Sequence, residues 1–293
     1  MEYIESAIEL PGVLPVRGGY SMKVYIVCDL EGTSGVVHHR QQCQWDDKKE
    51  WYAPFLHQAR RLATEELNAA VQGAIDGGAD EVWAWDGHGG FPGGLDVELV
   101  HPDCKLVMAA GDGGPVGIDS SFDALMMVGL HGMRNALWGR LAHSFHKGII
   151  GMWVNGTKWG EIAANAWEAG QHNVPVAFLA GDRAAADEVT ALIGGVETAI
   201  VKRGLSERPA FLEQSPTLCL APAKAREVIR EGAARSMANI KRIPPYQVEP
   251  PYTVRTEYES KKVADWMMEN RPGLTRIDET TVESVSDELM LAL

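Results

Sequence analysis

The stretch Lys23-Val24-Tyr25-Ile26-Val27-Cys28-Asp29-Leu30-Glu31-Gly32-Thr33-Ser34-Gly35 is an apolar run that stops at two carboxylates and then at small residues. A short run rich in β-branched and aromatic residues reads as a buried strand, and the glycines after it as the loop at its carboxyl end. Side chains at i and i+2 of a strand share a face. Asp29 and Glu31 therefore project together unless the chain turns between them. Like charges that close require a proton, a basic group or a metal ion to offset them.

Working outward, apolar runs alternate with helical patterns through the first two thirds of the chain, which marks an α/β fold with a mainly parallel, doubly wound sheet. Phe55, Ala59, Leu62, Leu67, Ala70, Val71 and Ala74 approximate one helical stripe between about Tyr52 and Ile75, stopped by Gly77-Gly78. Further strands are expected at Glu81 to Trp85, Lys105 to Ala109, Ala124 to Val128, Val174 to Ala180 and Glu197 to Val201. Helices are expected over Gly160 to Ala169 and Ala184 to Ile193. Gly148 to Val154 and Thr157 to Trp159 flank Asn155-Gly156, the dipeptide that favours a tight two-residue hairpin.

Beyond about Gly204 the character changes. A polar loop leads to a helix from Pro222 to about Asn239, a proline-rich connection, an alternating strand Tyr252 to Tyr258 and a short helix Lys261 to Glu269. This reads as a smaller C-terminal α+β portion. The expected organisation is an extension over 1–21, an α/β metal-binding catalytic domain over 22–204 and a smaller α+β domain over 205–293. No internal repeat is evident.

Composition narrows the function classes. A formal net charge of −13 over 293 residues argues against a general affinity for nucleic acid or anionic membrane. The four cysteines, Cys28, Cys43, Cys104 and Cys219, are scattered without a CxxC pair, which fits a reducing, cytoplasmic compartment better than a disulfide framework or zinc knuckle. The first 21 residues do not resemble a signal peptide, and no segment is long and apolar enough to span a membrane.

Ligands of open α/β sheets gather at the carboxyl ends of the strands. One strand ends at Asp29 and Glu31, the next in Asp86-Gly87-His88-Gly89-Gly90, and another in Gly129-Leu130-His131-Gly132. Two carboxylates and two imidazoles thus meet, a donor set preferred by zinc and, less strongly, manganese or iron. The mixed acidic set points to an open catalytic site, with two metals sharing a carboxylate as one form. No GxGxxG or Walker sequence is present, so a nucleotide site is not expected.

His143 and Glu161 extend the set, Glu161 in the first turn of a helix where the dipole favours a carboxylate, with Asn165 one turn later. Taken singly, each residue has a plainer role: a loop cap for Asp29, a solvated charge for Glu31, a turn residue for His88, a core histidine for His131, a helix-start charge for Glu161. Joint placement carries the metal reading. His38, His39, His57, His101 and His172 are read as surface or structural residues.

These blocks resemble the D-aminopeptidase family of dinuclear-zinc metallopeptidases. The resemblance rests on Met22 to Gly35, on Asp86-Gly87-His88, Gly129-Leu130-His131 and Ala142-His143-Ser144, and on Val154-Asn155-Gly156 running into Gly160-Glu161 and Asn165. Ala180 to Ala185 and Leu220 to Ala225 agree too. Carried over, the resemblance implies two zinc ions held by Asp29, Glu31, His88, His131 and Glu161, with His143 as the catalytic histidine. It implies an aminopeptidase acting on short peptides with an N-terminal D-residue, of the D-alanyl-D-alanine type, and a homo-oligomer in the form of a decameric ring. Gly87 stands where the family usually has serine. Hydrolysis of another small amide or an L-peptide would use the same site, and metal-dependent phosphoester hydrolysis is a more distant reading.

Overall fold

A computed structural model describes residues 21–46, 51–108, 114–207 and 215–289. The extension expected over residues 1–21 lies, apart from Ser21, outside the described residues. In chain order the elements are β1 (Lys23–Cys28), α1 (His39–Gln42), β2 (Trp45–Asp46), β3 (Trp51–Tyr52), α2 (Leu56–Asp76), β4 (Glu81–Asp86), β5 (Cys104–Val107), β6 (Ala124–Leu130), β7 (Ile149–Val154), β8 (Thr157–Trp159), α3 (Glu161–Gln171) and β9 (Val176–Asp182). They continue with α4 (Arg183–Leu192), β10 (Glu197–Gly204), β11 (Thr217–Cys219), α5 (Pro222–Met237), β12 (Tyr252–Tyr258), α6 (Lys261–Asn270), β13 (Thr275–Arg276) and β14 (Thr281–Ser286).

A seven-stranded sheet has the order β11-β10-β9-β6-β1-β4-β5, parallel throughout except for the antiparallel β10–β11 pair. Alternation along β1 sends Val24, Ile26 and Cys28 to one face, against apolar residues of α2 and α5 such as Leu67 and Ile229. Tyr25 and Val27 go to the other, against Ile162 and Ala166 of α3 and Val189 of α4. Both faces being covered explains why β1 and β6 read as unbroken apolar runs rather than alternating ones. β1 lies between β4 and β6, so the chain order reverses beside its carboxyl end. A crevice opens at such a switch point.

The second sheet, ordered β13-β14-β12-β7-β8, is antiparallel and carries its own core of Ile149, Met152, Val154, Trp159, Val254, Tyr258, Met267 and Val282. It spans the division expected at about residue 204. The hairpin β7–β8 from the first part pairs with β12 of the last, while α5 from the last part packs on α2 of the first. Each half of the chain thus supplies surface that the other must bury. The hairpin turn itself is as expected: Asn155 and Gly156 have φ of 48° and 83°, the paired positive values of a type I′ turn. Among the described residues no helix is long and apolar enough to cross a membrane.

Where β1 and β6 end, their backbones nearly touch. Asp29 N–H donates to the Val128 carbonyl at 2.8 Å and Gly32 N–H to the Gly129 carbonyl at 2.6 Å. Gly129 has φ +74°, and a Cβ there would stand 2.0 Å from the Asp29 carbonyl oxygen. Such a contact cannot be relieved without moving backbone. Gly129→Ala is therefore expected to cost at least about 3 kcal/mol of stability, read as a lowered urea midpoint; an unchanged midpoint would mean that the crossing is not tight.

Candidate metal centre

The chain leaves β1 at Cys28 and turns at once, yet both carboxylates still converge. Leu30 N–H donates to Asp29 Oδ1 at 2.8 Å, which fixes the first. Glu31 is 1% exposed and Asp29 6%. His88 reaches both from the loop after β4: its Nδ1 lies 3.2 Å from Asp29 Oδ1 and 2.8 Å from Glu31 Oε2. That loop is shaped by buried Asp86, which accepts from Gly94 N–H at 2.9 Å. His131, at the end of β6, places Nε2 3.3 Å from Asp29 Oδ2 and 3.5 Å from Glu161 Oε2. Glu161 opens α3 directly after β8, so the second sheet delivers the third carboxylate.

His143 stacks on His131 with ring centroids 4.2 Å apart, and its Nε2 is 3.8 Å from Glu161 Oε1. The structure thus brings together all six residues singled out in the sequence. His143 sits in an irregular loop whose residues Asn135, Trp138, Leu141 and Phe145 all have positive φ. Such conformations cost energy in non-glycine residues and persist only where the surroundings impose them. One such contact is Phe145 N–H donating to Glu161 Oε1 at 2.7 Å, which ties the loop to α3.

Each imidazole is oriented by a backbone carbonyl. His88 Nε2–H donates to Cys43 O at 3.0 Å, His131 Nδ1–H to Gly132 O at 3.0 Å and His143 Nδ1–H to Leu141 O at 2.8 Å. The opposite nitrogen of each ring then faces the carboxylates, the arrangement that presents a lone pair to a cation. Burial opposes charge on His88 and His131, but the neighbouring carboxylates outweigh it and push both pKa values well above that of ordinary histidine. Burial likewise opposes ionisation of Asp29, and the two histidines hold its carboxyl well below the ordinary range. His143, with burial and the His131 charge both against protonation, is pulled down.

The donor set fits a divalent cation. Asp29 Oδ2, Glu31 Oε2 and His131 Nε2 are buried and meet no partner of hydrogen-bond geometry among the described residues. Asp29, Glu31 and His131 each offer a donor atom within one 4.8 Å cluster, and so do His131, His143 and Glu161. With Nδ1–H committed to the Gly132 carbonyl, His131 presents one lone pair at Nε2 and can serve one ion, so two neighbouring ions would need a carboxylate to bridge them.

One histidine departs from its sequence reading. His39, read as surface or structural, turns inward from α1: Nε2 is 3.7 Å from Glu31 Oε1, and the ring meets that of His143 edge-on at 6.2 Å. Burial pushes its pKa down to about 4 against the pull of Glu31. Its only sequence signal is closeness to Glu31, in a stretch without apolar periodicity. His57 is exposed, as that reading allows.

The D-aminopeptidase family profile matches residues 22–293. The chain belongs to this D-aminopeptidase family. This D-aminopeptidase family member is 32% identical over 249 residues to a D-aminopeptidase of Bacillus subtilis (strain 168), covering 84% of each chain. Its fold matches that of the zinc-dependent D-aminopeptidase DppA from Bacillus subtilis, a self-compartmentalizing protease, with a TM-score of 0.79 and 30% identity. That match covers 91% of this chain and 92% of the other.

Beneath the centre, Glu66 of α2 is buried and accepts from Ser34 N–H at 2.9 Å. Burial pushes its carboxyl up to about 8, against the Ser34 bond and the Lys202 charge. An unfolded glutamate titrates near about 4.3. Between those two values the unfolded chain releases a proton that the fold retains, so this group's contribution to stability is full below the lower value and is lost as pH rises through the upper. Glu66→Gln removes the dependence. The melting temperature of that variant relative to the parent is expected to rise from pH 5 to 8 and then level; a flat difference would mean that Glu66 is ionised in the fold.

Proposed function

We propose that the protein is a zinc-dependent aminopeptidase that hydrolyses short peptides carrying an N-terminal D-residue, of the D-alanyl-D-alanine type. The observation that carries this reading is the convergence of Asp29, Glu31, His88, His131 and Glu161 at the switch point of the sheet. Asp29, Glu31, His88, His131 and Glu161 would hold two zinc ions. Zinc supplies Lewis acidity there, acidifying water and polarising a carbonyl. Preference for a D-residue rests on membership of the family and on the D-aminopeptidases it resembles.

The chain's own residues account for the rest of the chemistry. When the peptide C–N bond breaks, the leaving amine must gain a proton. His143 is placed to move it at Nε2, since its Nδ1–H is committed to the Leu141 carbonyl. Burial favours its neutral form, so it can take a proton from water and pass it on. When protonated it is also a donor for the oxyanion of the tetrahedral intermediate. Glu161, 3.8 Å away, steadies that transient charge. His39 lies on the Glu31 side of the centre, its Nε2 3.7 Å from Glu31 Oε1.

We also infer a closed homo-oligomer, with a decameric ring as its specific form. The likeness to a self-compartmentalizing protease supports it, and size measurement in solution tests it. A cytoplasmic location is supported by four free cysteines.

Metal content and hydrolysis of D-alanyl-D-alanine against its L,L counterpart test the main reading. Near-stoichiometric zinc and D-selective turnover are expected, with both lost in Asp29→Ala; folded parent protein without metal would sink it. His143→Ala is expected to lower kcat about 10²- to 10⁴-fold while zinc content stays near that of the parent. Loss of zinc in that variant would make His143 a ligand instead.

A further inference from the structure

Lys202 is a buried lysine without a carboxylate in contact among the described ion pairs. It lies on β10, 2% exposed, and its Nζ donates to the carbonyls of Glu31 and Val36, the latter at 2.6 Å. Alternation along β10 would turn Lys202 to the same side as exposed Ile200. A register shift between Ile200 and Lys202, where the strand pairs with β9, re-aims the side chain inward. Bulges next to functional sites are used in this way.

What the ammonium holds is the loop that carries the two carboxylates. Its turns are made by Thr33 N–H to the Leu30 carbonyl and Val36 N–H to the Thr33 carbonyl, both at 3.2 Å, which leave the carbonyls of Glu31 and Val36 unused. Lys202 takes both. Other elements grip the same loop elsewhere: Gly129 at the Gly32 N–H, Glu66 at the Ser34 N–H, and the Leu220 carbonyl at Ser34 Oγ. Lys202 takes the carbonyl of the peptide unit between Glu31 and Gly32, whose N–H is held by Gly129. Three donors on a flexible stem suit the bridging of two carbonyls. Burying an ammonium is costly because it gives up its hydration, so its place beneath this loop calls for a role that an apolar side chain would not fill.

We propose that Lys202 is a positioning residue, which by clamping the Glu31 and Val36 carbonyls fixes the backbone from which Asp29 and Glu31 reach the metal. This rests on the zinc reading above. Loss of a group that orients metal ligands from behind typically weakens binding about 10- to 100-fold.

The test is zinc affinity, measured by competition with a chromophoric chelator on folded apo protein, alongside the electronic spectrum of the cobalt(II)-substituted form. Lys202→Met, similar in length but without donors, is expected to lose affinity within that range and to shift the cobalt bands. Lys202→Arg, which keeps donors for both carbonyls, is expected to recover most of the affinity. Ile229→Ala, a core change on α5, is expected to lower the melting temperature with affinity unchanged. Should Lys202→Met not accumulate as folded protein, Lys202→Leu, which also lacks donors, is read in the same way. Parent-like affinity and spectrum in the donor-lacking variant would overturn the positioning role alone. Equal loss in the Met and Arg variants would do the same, whereas a parent that binds no zinc would overturn the metal reading and this inference together.

Discussion

The constraint on which this structure turns is electrostatic. Asp29, Glu31 and Glu161 bring three carboxylates to one buried place, with His88 and His131 between them. Buried charge is tolerated only when it is paired or coordinated. Here the pairing is built from the ends of three parallel strands and the start of one helix, so the centre exists only when those elements are docked. The crossing of β1 and β6, where glycine alone fits, is what lets Asp29 and His131 come within 3.3 Å.

The second sheet has its role in this light. Its hairpin leads directly into α3, and the first residue of that helix is Glu161. The small core around Trp159 and Tyr258 therefore sets the position of one carboxylate, while the large sheet sets the other two. A centre assembled at the seam of two sheets gains rigidity from both. The loop bearing His143 is held by Glu161 and by the large sheet, through Arg140 N–H to Asp182 Oδ2 and Gly204 N–H to the Trp138 carbonyl, both at 3.0 Å, in conformations that the isolated chain would avoid.

Support from below is equally specific. The loop from Leu30 to Val36 is gripped by a buried acid and by a buried base that reach it from α2 and β10. Neither grips through the metal-facing side chains. The carboxylate oxygens are thus left pointing into the crevice, and this separation of backbone anchoring from side-chain donation suits a site that must bind an ion and still leave room for substrate.

Much of this was legible in the residues. The apolar run ending in Asp29 and Glu31, the strand-end histidines and the Asn155-Gly156 turn are local signals, because strand burial and turn chemistry are written in neighbouring positions. The doubly wound sheet and the convergence of its ends followed from the alternation of elements. His39 was not legible, since an irregular loop has no periodicity from which to infer direction. Lys202 was hidden for a related reason: on a regular strand it would follow Ile200 outward, and only the bulge against β9 turns it in. The division of the chain was hidden too, because β14 is short and polar and β7 meets its partner β12 about a hundred residues later in the chain. By itself the sequence determined which groups can bind a cation and that they lie at strand ends. Tertiary structure alone decided how far apart those groups stand, which nitrogen each histidine presents and what holds the loop beneath them, because those depend on contacts between residues that the chain keeps far apart.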